Sequence, residues 1–141
     1  MLGRKLAARL VRDGRVGKAE IRALTLVDVV ETLAFPEFRG DITRKVADLA
    51  VPQSALALLA PRPDIIFHLA AVVSGEAEAD FGKGYRVNFD GTRLLFEAIR
   101  QTGAQGGYRP RVVFASSVAV FGEPLPDVIG DEFLTAPLTS Y

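Results

Sequence analysis

The sequence predicts an α/β fold, a doubly wound parallel sheet with helices on both faces. Three observations carry this. Short apolar runs stand at Ala23–Asp28, Ile65–Ala71 and Val112–Ala115. Stretches with apolar residues at helical spacing alternate with them, and Gly and Pro punctuate the joins. Strands that alternate with helical segments form βαβ units, whose crossovers are right-handed and whose strands run parallel.

The elements follow in order. Leu6, Ala7, Leu10 and Val11 recur at helical spacing and Gly14 follows as a stop signal, so a helix is expected over 3–13. Ala23–Asp28 reads as a buried strand ending in a carboxylate. Pro36 and Gly40 interrupt 29–46, which reads as irregular, with a short strand expected at Val46–Leu49. A helix with Pro near its start is expected over Pro52–Ala60, closed by Pro61, Arg62 and Pro63. Ile65–Ala71 is the next strand. Val87, Gly91, Leu94, Leu95, Ala98 and Ile99 then mark one face of a long helix over 78–102, ended by Gly103, Gly106 and Gly107. Val112–Ala115 is the last strong strand, and beyond Gly122 the chain reads as a Pro-rich loop to Tyr141.

Composition narrows the function. The 141 residues carry 17 Lys+Arg against 17 Asp+Glu, 49% hydrophobic residues, one His and no Cys. That suits a single domain over 1–141. Balanced charge argues against nucleic acid as a partner, because phosphate binding needs a basic excess. Without Cys there is no disulfide scaffold, zinc-thiolate site or Cys nucleophile. With His68 alone, neither a His-rich metal site nor a Ser–His pair is expected; His68 reads as a strand residue in a satisfied environment. No metal is expected. No apolar run reaches the ~20 residues of a membrane helix. The first 18 residues carry Arg4, Lys5, Arg9, Arg12, Arg15 and Lys18 against Asp13 alone. A transit peptide has such a composition, but the segment fits the first helix of the fold, so a surface helix and a cytoplasmic protein are expected.

Ligands of open parallel sheets bind at the carboxyl ends of the strands. Asp28 ends the first strand, where a carboxylate accepts both hydroxyls of an adenosine ribose and repels a 2′-phosphate; a turn cap is the plainer reading. Val29 and Val30 follow rather than Arg, which favours NAD over NADP. Asp48 and Leu49 pair a carboxylate with an apolar neighbour, suited to an adenine amine and ring face, or to capping a helix. Ala70, Ala71, Ser74 and Gly75 are small, so a ligand, or simply a packed helix, can approach the backbone closely. Ser116 and Ser117 place two hydroxyls after the last strand, suited to holding a substrate oxygen. Tyr141 lies 24 positions after Ser117, at an expected helix start across the Pro-rich loop.

Together these residues resemble the NAD-dependent epimerase/dehydratase family, the extended short-chain dehydrogenases/reductases, along essentially the whole chain. Met1-Leu2-Gly3 is similar to the end of the family's glycine turn, with Gly3 as its last glycine. Asp28 falls at the ribose-binding acid and Asp48-Leu49 at the adenine-contacting pair. His68-Leu69-Ala70-Ala71 matches a strand-end motif, and Asn88 a helix Asn that supports the site. Ser116-Ser117-Val-Ala-Val-Phe-Gly122 matches the motif holding the catalytic Ser, here Ser117. Pro137–Tyr141 matches the approach to a Tyr-x-x-x-Lys signature. Residues 70–81 and Tyr85–Asn88 are similar to the D-erythronate dehydrogenase branch, which oxidises a four-carbon sugar acid at C2 with NAD.

The resemblance implies a Rossmann fold, NAD as cofactor, and Ser117, Tyr141 and Asn88 as the catalytic set. Gly3, Asp28, Asp48, Leu49, Ala70, Ala71, Ser74 and Tyr141 are the implied cofactor contacts. Tyr141 as phenolate would take the substrate hydroxyl proton; a tyrosine ordinarily titrates near pH 10 (about 10), so a cation must assist. The family's Lys would fall four positions later, past the last residue. The first strand and substrate domain are likewise expected outside the 141 residues, so the chain reads as a truncated NAD-binding domain that by itself neither binds NAD tightly nor turns over. The implied partner is a small substrate, a sugar acid or sugar nucleotide, and the full-length protein is expected to be a homodimer. A sugar-nucleotide epimerase or dehydratase, and a non-catalytic dinucleotide-binding module, are the alternative functions.

Overall fold

The computed structural model describes residues 2–104, 106–139 and 141. Met1 and Ser140, which belong to the expected glycine turn and the approach to Tyr141, lie outside the described residues. Two units are present, Met1–Asp48 and Leu49–Tyr141.

The first unit opens with α1 (Leu2–Asp13), which buries Ala7 and Val11 one turn apart. Its outer face carries an Arg9–Asp13 ion pair. Gly14, at φ 63°, ends it by donating its N–H to the Leu10 carbonyl at 2.9 Å. A two-residue antiparallel ladder follows, β1 (Arg15–Val16) against β2 (Ala19–Glu20), turned at Gly17 with φ 59°. Next come β3 (Ala23–Asp28) and β4 (Asp41–Val46), paired parallel from Ala23↔Asp41 to Asp28↔Val46. The irregular link 29–40 is tied to β4 where Arg44 Nη1 donates to the Thr32 carbonyl at 3.0 Å.

Two expectations are corrected in this unit. The strand lies at Asp41–Val46, inside the stretch read as irregular, and not at Val46–Leu49. Only Ile42 and Val46 of its six residues are apolar, so hydropathy hides it; ladder bonds to β3 make it a strand. Furthermore, β3 is not buried. Leu24 and Leu26 are half-buried and the alternate residues exposed, because β4 is its only ladder partner among the described residues.

The second unit begins with α2 (Pro52–Leu59), with Pro at its start and Ala55 and Leu59 buried one turn apart. Then come β5 (Ile65–His68), α3 (Ser74–Ala79), α4 (Phe81–Gly84), a π-helical turn (Tyr85–Asp90), α5 (Gly91–Ala104), β6 (Arg111–Phe114) and a 3-10 turn (Val118–Phe121). β5 and β6 pair parallel, Ile65↔Arg111 to His68↔Phe114, so β5, the helical stretch and β6 form one βαβ unit. The core gathers Ala55 and Leu59 of α2 with Leu95 and Ala98 of α5, and Leu49, Ile66, Ile99 and Tyr108 pack around it.

The expected long helix is present in a different form. It starts at Ser74, breaks at Asp80 and passes through the π-helical turn before α5. Asp80 caps the restart, its Oδ1 accepting the Lys83 N–H at 2.9 Å. α3 and α4 meet closely: a Cβ at Gly84 would lie 2.9 Å from the Ala77 Cβ. The strand expected through Ala71 stops at His68, and 69–73 is a loop. The last strand runs Arg111–Phe114, one residue earlier than expected.

Candidate functional site

In the second unit the carboxyl ends of β5 and β6 lie side by side, and the Ala115 N–H donates to the His68 carbonyl at 3.2 Å. The loop after β5 holds Ala70 and Ala71, both exposed. The segment after β6 holds Ser116, exposed, and Ser117, half-buried. The structure therefore brings the alanine pair and the serine pair to one end of one strand pair. Ser117 stands where β6 gives way to the 3-10 turn, and its Oγ accepts the Ala119 N–H at 3.2 Å. That bond uses one lone pair and leaves the hydroxyl proton available to donate.

Asn88 joins this end from the π-helical turn. Its Oδ1 accepts the Val72 N–H at 2.9 Å, and its Nδ2 donates to the Val72 carbonyl at 3.1 Å. Both polar groups of one loop residue are thus held by a single side chain. Ser74 is exposed at the start of α3. Leu49 packs at the edge of the core, 3.5 Å from where a Cβ at Gly91 would be.

His68 is buried, 4% exposed. Its Nε2 lies 2.8 Å from Thr92 Oγ1, and Thr92 Oγ1 donates to the Asn88 carbonyl at 2.7 Å. One hydroxyl proton cannot serve both bonds, so His68 donates and carries its proton on Nε2. Burial holds its pKa below the ordinary histidine value, which favours the neutral ring. Sequence reasoning did not single out Thr92 or Val72. The signal for Thr92 was its place four residues after Asn88, where a Thr hydroxyl reaches back to a helix carbonyl.

The approach to Tyr141 is anchored beside the segment that carries Ser117. The Ala136 N–H donates to the Val120 carbonyl at 2.9 Å, and Phe121 meets Phe133 edge-on with centroids 5.8 Å apart. Gly122 permits the crossing: at φ 69°, a Cβ there would sit 2.0 Å from the Ala136 carbonyl oxygen. Tyr141 itself is half-buried. It lies five positions past Ala136, a reach of at most about 18 Å.

In the first unit, Asp28 is exposed at the carboxyl end of β3. Its Oδ1 accepts one long bond, 3.4 Å, from the Val30 N–H, which leaves acceptor capacity for two ligand hydroxyls. Asp48 is half-buried two residues past β4, so it follows the strand and does not close it. Gly3 lies in the first turn of α1, and among the described residues nothing beyond its own neighbours and helix backbone stands within 4 Å of where its Cβ would be. That turn carries no acidic residue, so its N–H groups meet no carboxylate of their own turn. An adenosine ribose at Asp28 and a phosphate at the start of α1 match these donor and acceptor sets. Among the described residues no cluster of three or more His, Asp or Glu could hold a metal ion, and no helix is long and apolar enough to cross a membrane.

Parallel strand pairs, small residues after β5 and hydroxyls after β6 define a dinucleotide-type α/β domain. The chain belongs to the NAD dependent epimerase/dehydratase family, which matches residues 1–141. It is 41% identical over 144 residues to D-erythronate dehydrogenase from Cupriavidus necator, covering 99% of this chain and 43% of that protein. The nucleoside-diphosphate-sugar epimerase structure from Agrobacterium tumefaciens is 57% identical with a TM-score of 0.94, covering 99% of this chain and 41% of that one. UDP-glucose 4-epimerase from Brucella ovis, solved in complex with NAD, is 28% identical with a TM-score of 0.74, covering 100% of this chain and 40% of that one. The chain thus spans less than half the length of these relatives.

Proposed function

We propose that residues 1–141 are part of the NAD-binding domain of a dehydrogenase that oxidises a secondary hydroxyl of a sugar acid, D-erythronate or a close analogue. The observation that carries this reading is Ser117 at the carboxyl end of β6, beside the Asn88-held loop after β5, in a chain 41% identical to a D-erythronate dehydrogenase. Gly3 and the start of α1 would receive the pyrophosphate. Asp28 would accept the ribose hydroxyls, and Asp48 and Leu49 would meet the adenine. Ala70, Ala71 and Ser74 would leave room along the backbone. NAD, when bound, supplies the hydride acceptor.

Three residues of this chain would take part in the reaction itself. Ser117 Oγ donates to the substrate oxygen and orients the carbinol. Tyr141 would act as the general base that takes the substrate hydroxyl proton as that carbinol is oxidised to a carbonyl. Asn88 acts through the Val72 backbone. The epimerase name of the 57%-identical structure supports a second reading, a sugar-nucleotide epimerase or dehydratase using the same Ser and Tyr.

The test is a substrate screen of the full-length protein with NAD. Aldonic acids should give NADH, and nucleotide sugars should not. Tyr141→Phe should lose nearly all turnover and keep NAD binding. Turnover of nucleotide sugars alone would move the assignment to the second reading. An inactive protein whose Tyr141→Phe variant behaves as wild type would make it a non-catalytic dinucleotide-binding module.

A further inference from the structure

We propose that Thr92 is a positioning residue: with His68 it fixes the π-helical turn so that Asn88 holds the 69–73 loop in the shape that receives the cofactor. The role toward cofactor rests on the proposed function; the role toward the loop does not.

The bonds close a circuit. His68 is the last residue of β5, and the loop grows directly from it. Its Nε2–H donates to Thr92, Thr92 donates to the Asn88 carbonyl, and the Asn88 amide holds both polar groups of Val72. Val72 is four residues past His68, and Thr92 is four past Asn88. A four-residue excursion of the chain is therefore pinned at both ends to one turn of helix. Between the pins Leu69 is half-buried, and Ala70 and Ala71 are exposed.

The π-helical turn makes this pinning necessary. There the Gly91 N–H bonds to the Arg86 carbonyl, five residues back instead of four. Such a turn advances the helix face differently from an α-helical one, so the direction of Asn88 depends on where the wide turn begins and ends. Thr92 binds the Asn88 carbonyl from the first turn of α5, at the point where α-helical geometry resumes. A Thr inside a helix carries a propensity cost relative to Ala, and its hydroxyl here serves two partners that no methyl could replace.

Three variants of the full-length protein separate this role from simple packing. Thr92→Val keeps the shape and removes the hydroxyl, leaving the buried His68 N–H without its acceptor. Thr92→Ser keeps the hydroxyl. Leu95→Ala removes core volume beside the circuit without touching it. Hydrogen exchange of a peptide spanning 69–73, and the Kd for NAD, are read for each.

Thr92→Val should speed exchange in that peptide about tenfold and raise the Kd for NAD by a similar factor. Thr92→Ser should return both to near wild type. Leu95→Ala should speed exchange there no more than in the rest of the unit. Thr92→Ala carries the same expectation if the valine variant does not fold. Unchanged exchange at 69–73 in the hydroxyl-less variants, or a serine variant as impaired as they are, overturns the proposal. Faster exchange with an unchanged Kd overturns the cofactor-directed half. Faster exchange in a protein whose wild type binds no NAD upholds the loop role and removes the proposed function instead.

Discussion

The two parallel strand pairs are built by opposite means. β5 and β6 are joined through helices, and α5 buries Leu95 and Ala98 against α2. The loop after β5 is bonded at Val72 and its parent strand ends in a buried His68. β3 and β4 are joined by the irregular link 29–40, and neither contains a fully buried residue. Asp28 stands exposed at the end of β3 with one long backbone bond. One pair organises its carboxyl end by internal hydrogen bonds, while the other presents an exposed acceptor with a single long backbone bond. Stability and recognition should therefore separate, with Asp28 variants of the β3–β4 pair changing binding more than folding and core variants of the β5–β6 unit changing folding most.

The largest effect expected is on packing. Leu95→Ala, at 4% exposure, should lower unfolding free energy by about 3 kcal/mol, whereas Leu26→Ala in half-buried β3 should cost about 1 kcal/mol, both read by urea denaturation. Equal losses would break the comparison. The next effect is on pH dependence. Burial lowers the folded-state pKa of His68 below its ordinary 6.5, so the unfolded chain takes up a proton first as pH falls. The stability contributed by neutral His68 is complete above that value and is lost below it. Tm measured from about pH 8 to about pH 5.5 should fall, and His68→Gln should flatten the trend. Asp13 and Glu97, whose pKa values are held down by their arginine partners, release their contribution only at lower pH. The smallest effect on stability belongs to Asp28→Ser, within about 0.5 kcal/mol, although it should narrow the preference for NAD over NADP.

Much of this was legible from residue order. Ala23–Asp28 begins and ends where its apolar run does, and Ile65 opens β5 as expected. Pro52 opens α2 as expected, and the helix closes at Leu59, one residue before the expected Ala60 and ahead of Pro61 and Pro63. β4 was not legible, because Asp41-Ile-Thr-Arg-Lys-Val46 is a strand only through its partner. The apolar stripe announced α5, but not the break at Asp80 or the π-helical turn, which depend on side-chain bonds and close helix contacts. At the site, the serine pair and the alanine pair could be placed toward the carboxyl ends of strands from the fold class, although β5 stops at His68 and β6 at Phe114, each earlier than expected. The Asn88–Val72 bonds join residues 16 apart, and no local pattern encodes them. Gly122 stood in a recognisable motif, but its reason, a crossing by Ala136, appears only in three dimensions.

The most direct test is a crystal structure of the full-length protein with NAD. The Asp28 carboxylate should lie within hydrogen-bond distance of both adenosine ribose hydroxyls, with Ser117 and Tyr141 at the nicotinamide end and the Asn88–Val72 bonds intact. A dinucleotide bound away from Asp28, or a nicotinamide ring remote from Ser117, would contradict the account.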